Sequence, residues 1–246
     1  MQTSILLRKG LAIVIIFVLG SSIIPVGCSL STNGRTSIND SNAMMTSELI
    51  AANPDGINVT ISGTMGQNGW YVSGVVIKIT GAGVNHTYYS FDNQTWTEYM
   101  APITVSTDGV YELYVSGIDP YGEHQYYGPF PFKIDTTPPY VKITFPEPGF
   151  IYIINGNSDV LIKMPFFMTI VIGKINVMVD ASDNQSGVNR VEFWVDNDLR
   201  YTDTIAPYNW TWSEIGFFQR TLKAVAYDNA GNYNSTDIVL WKIQFR

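Results

Sequence analysis

The sequence predicts an all-β fold, two β-sandwiches in tandem behind an N-terminal signal or anchor helix. Three observations carry this. Short runs rich in Val, Ile, Thr, Tyr and Trp are broken by Gly, Asn, Asp and Pro, the pattern of half-buried strands joined by tight turns. No stretch after the leader shows a sustained 3.6-residue apolar period, so helices are not expected there. One set of landmarks also recurs in order. Gly83-Val84-Asn85 returns as Gly187-Val188-Asn189, Phe91-Asp92-Asn93 as Val195-Asp196-Asn197, and Ala101-Pro102 as Ala206-Pro207. Asp119 and Asp228 each end a strand-like run before a turn. Matching landmarks at near-equal spacing predict two divergent copies of one unit.

Taken in order, residues 1–30 read as a signal peptide or membrane anchor. Arg8 and Lys9 precede an apolar core from Leu11 to Leu19, followed by Gly20, Ser21, Ser22 and Gly27. The short core and the small residues favour a cleaved signal. Leu11 to Leu30 is also about long enough to span a bilayer uncleaved. Either reading places the rest of the chain outside the cytoplasm, secreted or held at the cell surface. Cys28 is the single cysteine. Ile24-Pro25-Val26-Gly27-Cys28 resembles a lipoprotein box, which makes Cys28 a lipidation candidate; the alternative is a leftover thiol in a discarded signal. With no second cysteine, no intrachain disulfide can form. Residues 31–56 are polar and unpatterned and read as a disordered tether.

The first sandwich is expected over residues 57–137. Its strand candidates are Ile57 to Ser62, Trp70 to Thr80, His86 to Phe91, Tyr99 to Val105, Val110 to Ile118 and Gln125 to Ile134. In the second of these, Val75, Ile77 and Ile79 share one face. Asp135-Thr136-Thr137-Pro138-Pro139 then reads as a stiff, extended hinge, because paired prolines fix φ and remove two donors. The second sandwich is expected over 138–246. Residues 146–168 read as a long loop, broken by Pro146, Pro148 and Pro165. Beyond it, Ile175/Val177/Val179, Val191/Phe193/Val195 and Leu222/Ala224/Ala226 line strand faces, and Ile238 to Phe245 forms a closing strand.

The formal net charge is −7, with no Lys/Arg cluster. Such a surface repels phosphate backbones and argues against nucleic-acid binding. Membrane contact is expected only through the N-terminal segment.

The second copy resembles the bacterial-type immunoglobulin-like domains of prokaryotic surface proteins. The matching residues are Asp180-Ala181-Ser182-Asp183-Asn184-Gln185-Ser186-Gly187-Val188, Val191 to Asp196, Ala206-Pro207-Tyr208 and Ala226 to Asn232. The first copy is similar to the OmpL-type β domain. There the carriers are Thr87 to Asp92, Trp96 to Tyr99, Ala101-Pro102-Ile103 and Lys133 to Pro139. It departs by reducing the Asp-rich loop to Gly81-Ala82-Gly83 and by placing Pro120-Tyr121-Gly122-Glu123 where the second copy has its Ala-Gly-Asn turn. The resemblance implies Greek-key sandwiches of immunoglobulin-like or fibronectin type III-like form, used as spacers or adhesive modules, with no enzymatic activity.

Several residues invite a chemical reading. In an immunoglobulin-like sandwich, two of the loops meet at one end, which would gather Asp180, Asp183, Asn184 and Asp228. Oxygen ligands of this kind suit calcium, although Asp and Asn also close turns by accepting nearby N–H groups. No other cofactor is indicated. Trp194, Trp210 and Trp212 are candidates for carbohydrate stacking, against the commoner use of aromatics in strand packing. His86 and His124 have no partners that would make a zinc site or a triad. Asn39, Asn58, Asn85, Asn93, Asn184, Asn209 and Asn234 lie in glycosylation sequons, and a glycan on Asn184 would compete with calcium there. The leading expectation is a non-catalytic cell-envelope module whose partner is a surface protein or a polysaccharide. A carbohydrate-binding accessory module comes second and a small β-sandwich hydrolase third.

Overall fold

The computed structural model describes residues 46–52, 57–81, 86–119, 121–154, 160–164 and 168–245. Among them every regular element is a strand. The signal or anchor expected over residues 1–30, with Cys28, lies outside the described residues, as do Asn39 and Asn85. Contacts divide the chain into two units. The first comprises residues up to Met65, Ser73–Ser106 and Val110–Phe132; the second comprises Gly66–Val72, Thr107–Gly109 and Lys133–Arg246.

The first unit contains β1 (Thr46–Ala52), β2 (Ile57–Thr64), β3 (Val75–Gly81), β4 (His86–Ser90), β5 (Thr97–Glu98), β6 (Ile103–Val105), β7 (Gly109–Ile118) and β8 (His124–Ile134). They form two four-stranded sheets, β1-β2-β3-β6 and β5-β4-β7-β8. The core follows from period-2 alternation. Ile57, Val59 and Ile61 of β2 lie beside Val75, Ile77 and Ile79 of β3 on one sheet face, and Leu113, Val115, Phe130 and Phe132 fill the opposite layer; all are buried. The face shared by Val75, Ile77 and Ile79 is the buried one, as the alternation predicts. Two expectations differ. Residues 46–52 are not part of a tether: β1 pairs antiparallel with β2 from Thr46↔Thr64 to Ala52↔Asn58, which satisfies the edge donors and acceptors of β2. And β3 begins at Val75, because Trp70 and Tyr71 are taken into the second unit.

The second unit contains β9 (Tyr140–Phe145), β10 (Phe150–Ile153), β11 (Val160–Lys163), β12 (Thr169–Ile172), β13 (Ile175–Ser182), β14 (Val188–Val195), β15 (Asp198–Asp203), β16 (Tyr208–Trp212), β17 (Gly216–Asp228) and β18 (Tyr233–Gln244). A three-stranded sheet, β16-β13-β9, covers a seven-stranded one, β11-β10-β12-β18-β17-β14-β15. Val177, Val191, Phe193, Val195, Trp212, Leu222 and Ala224 form the centre of the core, each with no exposed surface. The long loop expected over 146–168 contains two strands, Phe150–Ile153 and Val160–Lys163. Its prolines sit outside the described strands, while Phe150-Ile151-Tyr152-Ile153 and Val160-Leu161-Ile162 are strong strand formers. β10 pairs parallel with β12, and β12 pairs parallel with β18, extending the sheet on one side.

On the outer face of this extension the register aligns two cross-strand rows. One runs Ile162, Ile151, Ile170, Trp241, Gln219; the other runs Val160, Ile153, Ile172, Ile243, Phe217. On the inner face Lys242 is buried. Its ammonium donates to the Gly173 carbonyl at 2.6 Å and to Gln244 Oε1 at 2.8 Å. Burial pulls its pKa down to about 8, with Glu214 pulling the other way.

The stretch Asp135–Pro139, expected as a hinge with a domain boundary at 137/138, is bonded into the second unit, which takes in the chain from Lys133 onward. Asp135 has no exposed surface. Thr136 donates its N–H and hydroxyl to Asp108, each at 2.8 Å, and the Thr137 hydroxyl donates to the same carboxylate at 2.5 Å. Burial would raise the Asp108 carboxyl, but these bonds outweigh it and hold the pKa below the usual value. The prolines do stiffen the segment; its side chains then fasten it.

The two units share a strand plan. β2-β3-β6 with β5-β4-β7-β8 corresponds to β9-β13-β16 with β15-β14-β17-β18. The hairpin after β7 shares two closing bonds with the one after β17. Asp119 N–H donates to the Glu123 carbonyl and Asp228 N–H to the Asn232 carbonyl, both at 3.0 Å. Asp119 Oδ1 accepts from the N–H of Glu123, and Asp228 Oδ1 from the N–H of Asn232. The third residue after each Asp is a glycine at positive φ, Gly122 at 88° and Gly231 at 99°. The differing turn sequences therefore share a closing bond pair and a positive-φ glycine.

Gly173 has φ 95°, and a Cβ there would meet the Ile154 carbonyl oxygen at 2.1 Å; Gly149 has φ 86° with open space around it. Gly173→Ala is expected to cost about 2–4 kcal/mol, from strain plus backbone displacement, and Gly149→Ala about 1 kcal/mol from strain alone. Urea midpoints of the two variants check the order.

Candidate functional site

The loops at one end of the second unit bring three carboxylates together. Asp135, Asp183 and Asp228 each place an oxygen within 4.8 Å of the others. Asp135 and Asp228 have no exposed surface. Each acid is held by the turn it closes. Asp228, the last residue of β17, accepts from Gly231 N–H at 2.6 Å and Asn232 N–H at 2.8 Å through Oδ1, and from the Asn232 side-chain amide at 2.9 Å through Oδ2. Asp183, between β13 and β14, accepts from Gly187 N–H at 2.6 Å and Gln185 N–H at 3.1 Å. Asp135 accepts from Thr137 N–H at 3.2 Å and reaches across to Ser186 N–H at 3.1 Å. These are side-chain-to-backbone closures of the kind Asp makes in turns.

Asparagines tie the loops to one another. Asn229 Nδ2 donates to the carbonyls of Ser186 and Gly187, and Asn229 Oδ1 accepts from Asn189 Nδ2. Asn232 Nδ2 also reaches the Asp135 carbonyl at 2.9 Å. The segment Gly66–Val72 rests on the same turn: Gln67 N–H donates to the Ala230 carbonyl at 2.7 Å and Asn68 Nδ2 to the Asn229 carbonyl at 2.9 Å. A Cβ on Gly66 would lie 2.2 Å from that Ala230 oxygen, so this contact depends on glycine. Burial raises the Asp228 carboxyl above its ordinary value, and the charge of Asp135 adds to the shift.

Of the four expected calcium ligands, Asp183 and Asp228 are brought together. Asp180 lies along β13 opposite Lys142 and is exposed, so it is outside the group. Asn184 is exposed and lines a pocket of about 350 Å³ with Asp108, Thr137, Tyr140 and Asp183. Asp135 takes the third place. It escaped the sequence reading because its partner Ser186 is 51 positions away.

The three tryptophans do not form a row. Trp212 has no exposed surface. Trp210 is half-buried against the same core, its ring stacked on Trp212 with centroids 5.8 Å apart. Both face inward because β16 pairs them with the buried Ile175 and Val177. Trp194 alone points to the outer face, half-buried, with its indole N–H donating to Glu192 at 3.2 Å. Glu192 also accepts from Arg190 at 2.8 Å, and Arg190 lies 3.8 Å over the Tyr227 ring. The two histidines serve locally: His86 bonds Glu98 at 2.9 Å and His124 stacks on Tyr126.

Among the described sequons, Asn93 and Asn184 are exposed. Asn58 is half-buried on β2. Asn209 and Asn234 commit their side-chain amides to the carbonyls of Pro207 and Pro139.

Residues 139–236 match the family model of the bacterial Ig domain. The match spans β9 to the first residues of β18 and includes Asp183 and Asp228. No curated protein matches the chain. Among solved structures, fibronectin(III)-like modules of CbhA from Clostridium thermocellum are similar at 18% identity and TM-score 0.39, covering 76% of this chain and 94% of that one. A chimeric titin Z1Z2 tandem is similar at 9% identity and TM-score 0.26, covering 70% and 90%. A Dscam structure is similar at 9% identity and TM-score 0.24, covering 82% and 80%.

A carboxyl whose folded pKa is raised binds its proton more tightly when folded. Its contribution to stability therefore grows as pH falls through the folded value toward the ordinary ~3.9, and is lost as pH rises. Asp228→Asn is accordingly expected to be more stable relative to wild type at pH 7 than at pH 4.5. Urea midpoints of both proteins at the two pH values measure this; an unchanged difference would contradict it.

Proposed function

We propose that this chain is an exported, non-catalytic cell-envelope protein whose two immunoglobulin-like units are divergent copies acting as a spacer or adhesive module. The observation that carries this reading is the bacterial Ig domain match over residues 139–236. Bonding in the site agrees with it: the described turn carboxylates close turns or tie loops together. The shared strand plan and the matching Asp119 and Asp228 hairpins support divergence from one unit. The OmpL-type assignment of the first unit belongs to the same reading and rests on its sequence motifs. The partner is a surface protein or a polysaccharide.

Location can be tested on intact cells. A membrane-impermeant amine reagent should label exposed lysines such as Lys174 without lysis, and mass spectrometry of the N-terminus would show whether the leader is removed, lipidated at Cys28 or retained. Labelling only after lysis would defeat the proposal.

A second reading, of a structural cation, rests on the three gathered carboxylates. Two buried acids within 4.8 Å of a third repel one another, and a hard cation would relieve this with oxygen ligands. In that case millimolar calcium raises the melting temperature by several degrees and Asp228→Asn abolishes the rise. A flat calcium titration leaves the carboxylates as turn closures alone.

A further inference from the structure

Asparagine has two uses in this chain. Four asparagines outside any sequon, Asn68, Asn189, Asn229 and Asn232, tie loops together through their side-chain amides. The sequon asparagines are a separate set. Seven of the eighteen asparagines stand in Asn-x-Ser/Thr, where the Ser and Thr content of the chain alone would give about three. The excess points to a use, and the fold narrows the choice. Asn93 sits at φ 56°, a conformation that asparagine takes more readily than most residues, so its backbone already accounts for it. Asn209 and Asn234 donate to the carbonyls of Pro207 and Pro139, and Asn58 is half-buried within β2. Asn184 has no such task. It is exposed in the loop after β13, its φ is not positive, and its side chain makes no hydrogen bond among the described residues. It also stands outside the group of Asp135, Asp183 and Asp228, so a substituent on it leaves those carboxylates in place.

Beside Asn184 lies the pocket of about 350 Å³ lined by Asp108, Thr137, Tyr140, Ser182 and Asp183. Tyr140 pairs with Ser182 at the start of β9 and is 51% exposed. A half-open ring with hydroxyls and carboxylates around it offers an apolar surface and a polar rim, which is what a sugar ring needs. The two carboxylates accept bonds from sugar hydroxyls and repel an acidic sugar. We propose that Asn184 is N-glycosylated, and that the first sugar, a neutral hexose or N-acetylhexosamine, lies in this pocket against Tyr140. The proposal rests on the reading of the chain as exported, because the donor is a sugar carried on a lipid phosphate at the outer side of the membrane. In the transfer, Asn184 Nδ2 bonds to the anomeric carbon. The bond from that carbon to the phosphate oxygen breaks, the phosphate leaves with the electron pair, and the amide nitrogen loses one proton.

The test uses the full chain recovered from intact cells after labelling with a membrane-impermeant amine reagent. Mass spectrometry of the peptide carrying Asn184 is expected to show a hexose or N-acetylhexosamine on that residue. The modification should be absent in Asn184→Gln and kept in Ser186→Thr, which preserves the sequon. An unmodified Asn184 on a chain labelled from outside would overturn the glycan and leave export standing. Labelling only after lysis defeats the exported reading and this proposal with it. The pocket is tested by melting. The glycosylated chain should melt a few degrees above Asn184→Gln, and Tyr140→Ala should remove most of that difference. The same two chains made in a host without the transferase should melt alike, which separates loss of the glycan from loss of the amide. Equal melting of the glycosylated chain and Asn184→Gln sinks the placement against Tyr140.

Discussion

The second unit depends on carboxylates that turn back onto backbone N–H groups at the ends of strands. A sandwich core fixes the two sheets but leaves the loop ends full of donors, and buried donors must be paired. Asp228 pairs two of them in its hairpin, Asp183 two more in the adjoining loop, and Asp135 links its own turn to Ser186. Without these closures the loops that seat Asn229 and Asn232 would have no fixed shape. The cost is desolvation: burial raises the Asp228 carboxyl, and the charge of Asp135 adds to the shift. At the exposed turn after β4 the same device carries no such cost. There the N–H groups of Thr95 and Gln94, with Ser90, hold the Asp92 carboxyl well below the usual range.

Most of the fold could be read from alternation, because strand period and burial are local properties. Val191, Phe193 and Val195 announce a buried face, and all three are fully buried. The extension β10 to β12 could not be read this way. Its strands are only four residues long, too short for a period to show. Their sheet is anchored on β18, whose residues lie 71 positions beyond their β12 partners (Thr169↔Leu240). The tryptophans show a different limit. Shared parity put Trp210 and Trp212 on one face, but which face was decided by their partners Ile175 and Val177 across the ladder. Asp135 illustrates the same point in polar form: it read only as part of an extended hinge, and its long-range partner Ser186 was not legible.

The site is therefore partly a matter of sequence and partly of topology. Asp183 and Asp228 belong to motifs that the bacterial Ig domain resemblance marks, and they do meet. Asp180 belongs to the same run of residues but lies on a strand, where alternation turns it outward to solvent. Residue type suggested a group of four; strand and loop geometry brings two of them together with Asp135, from a segment read as a hinge.

The parallel pairing of β12 with β18 has a consequence for how the chain matures. Residues 169–172 pair with β10 on one side but can find their partners on the other only after residues 240–243 have been made. Contacts so distant in sequence form late and slowly. Until then Val171 and Tyr152, buried in the finished unit, have no layer to enter. The second unit thus stays open until β18 is made, a state hazardous if it lingers. The strand that completes the sheet also ends that vulnerable interval, so completion of the second unit is timed by the arrival of β18.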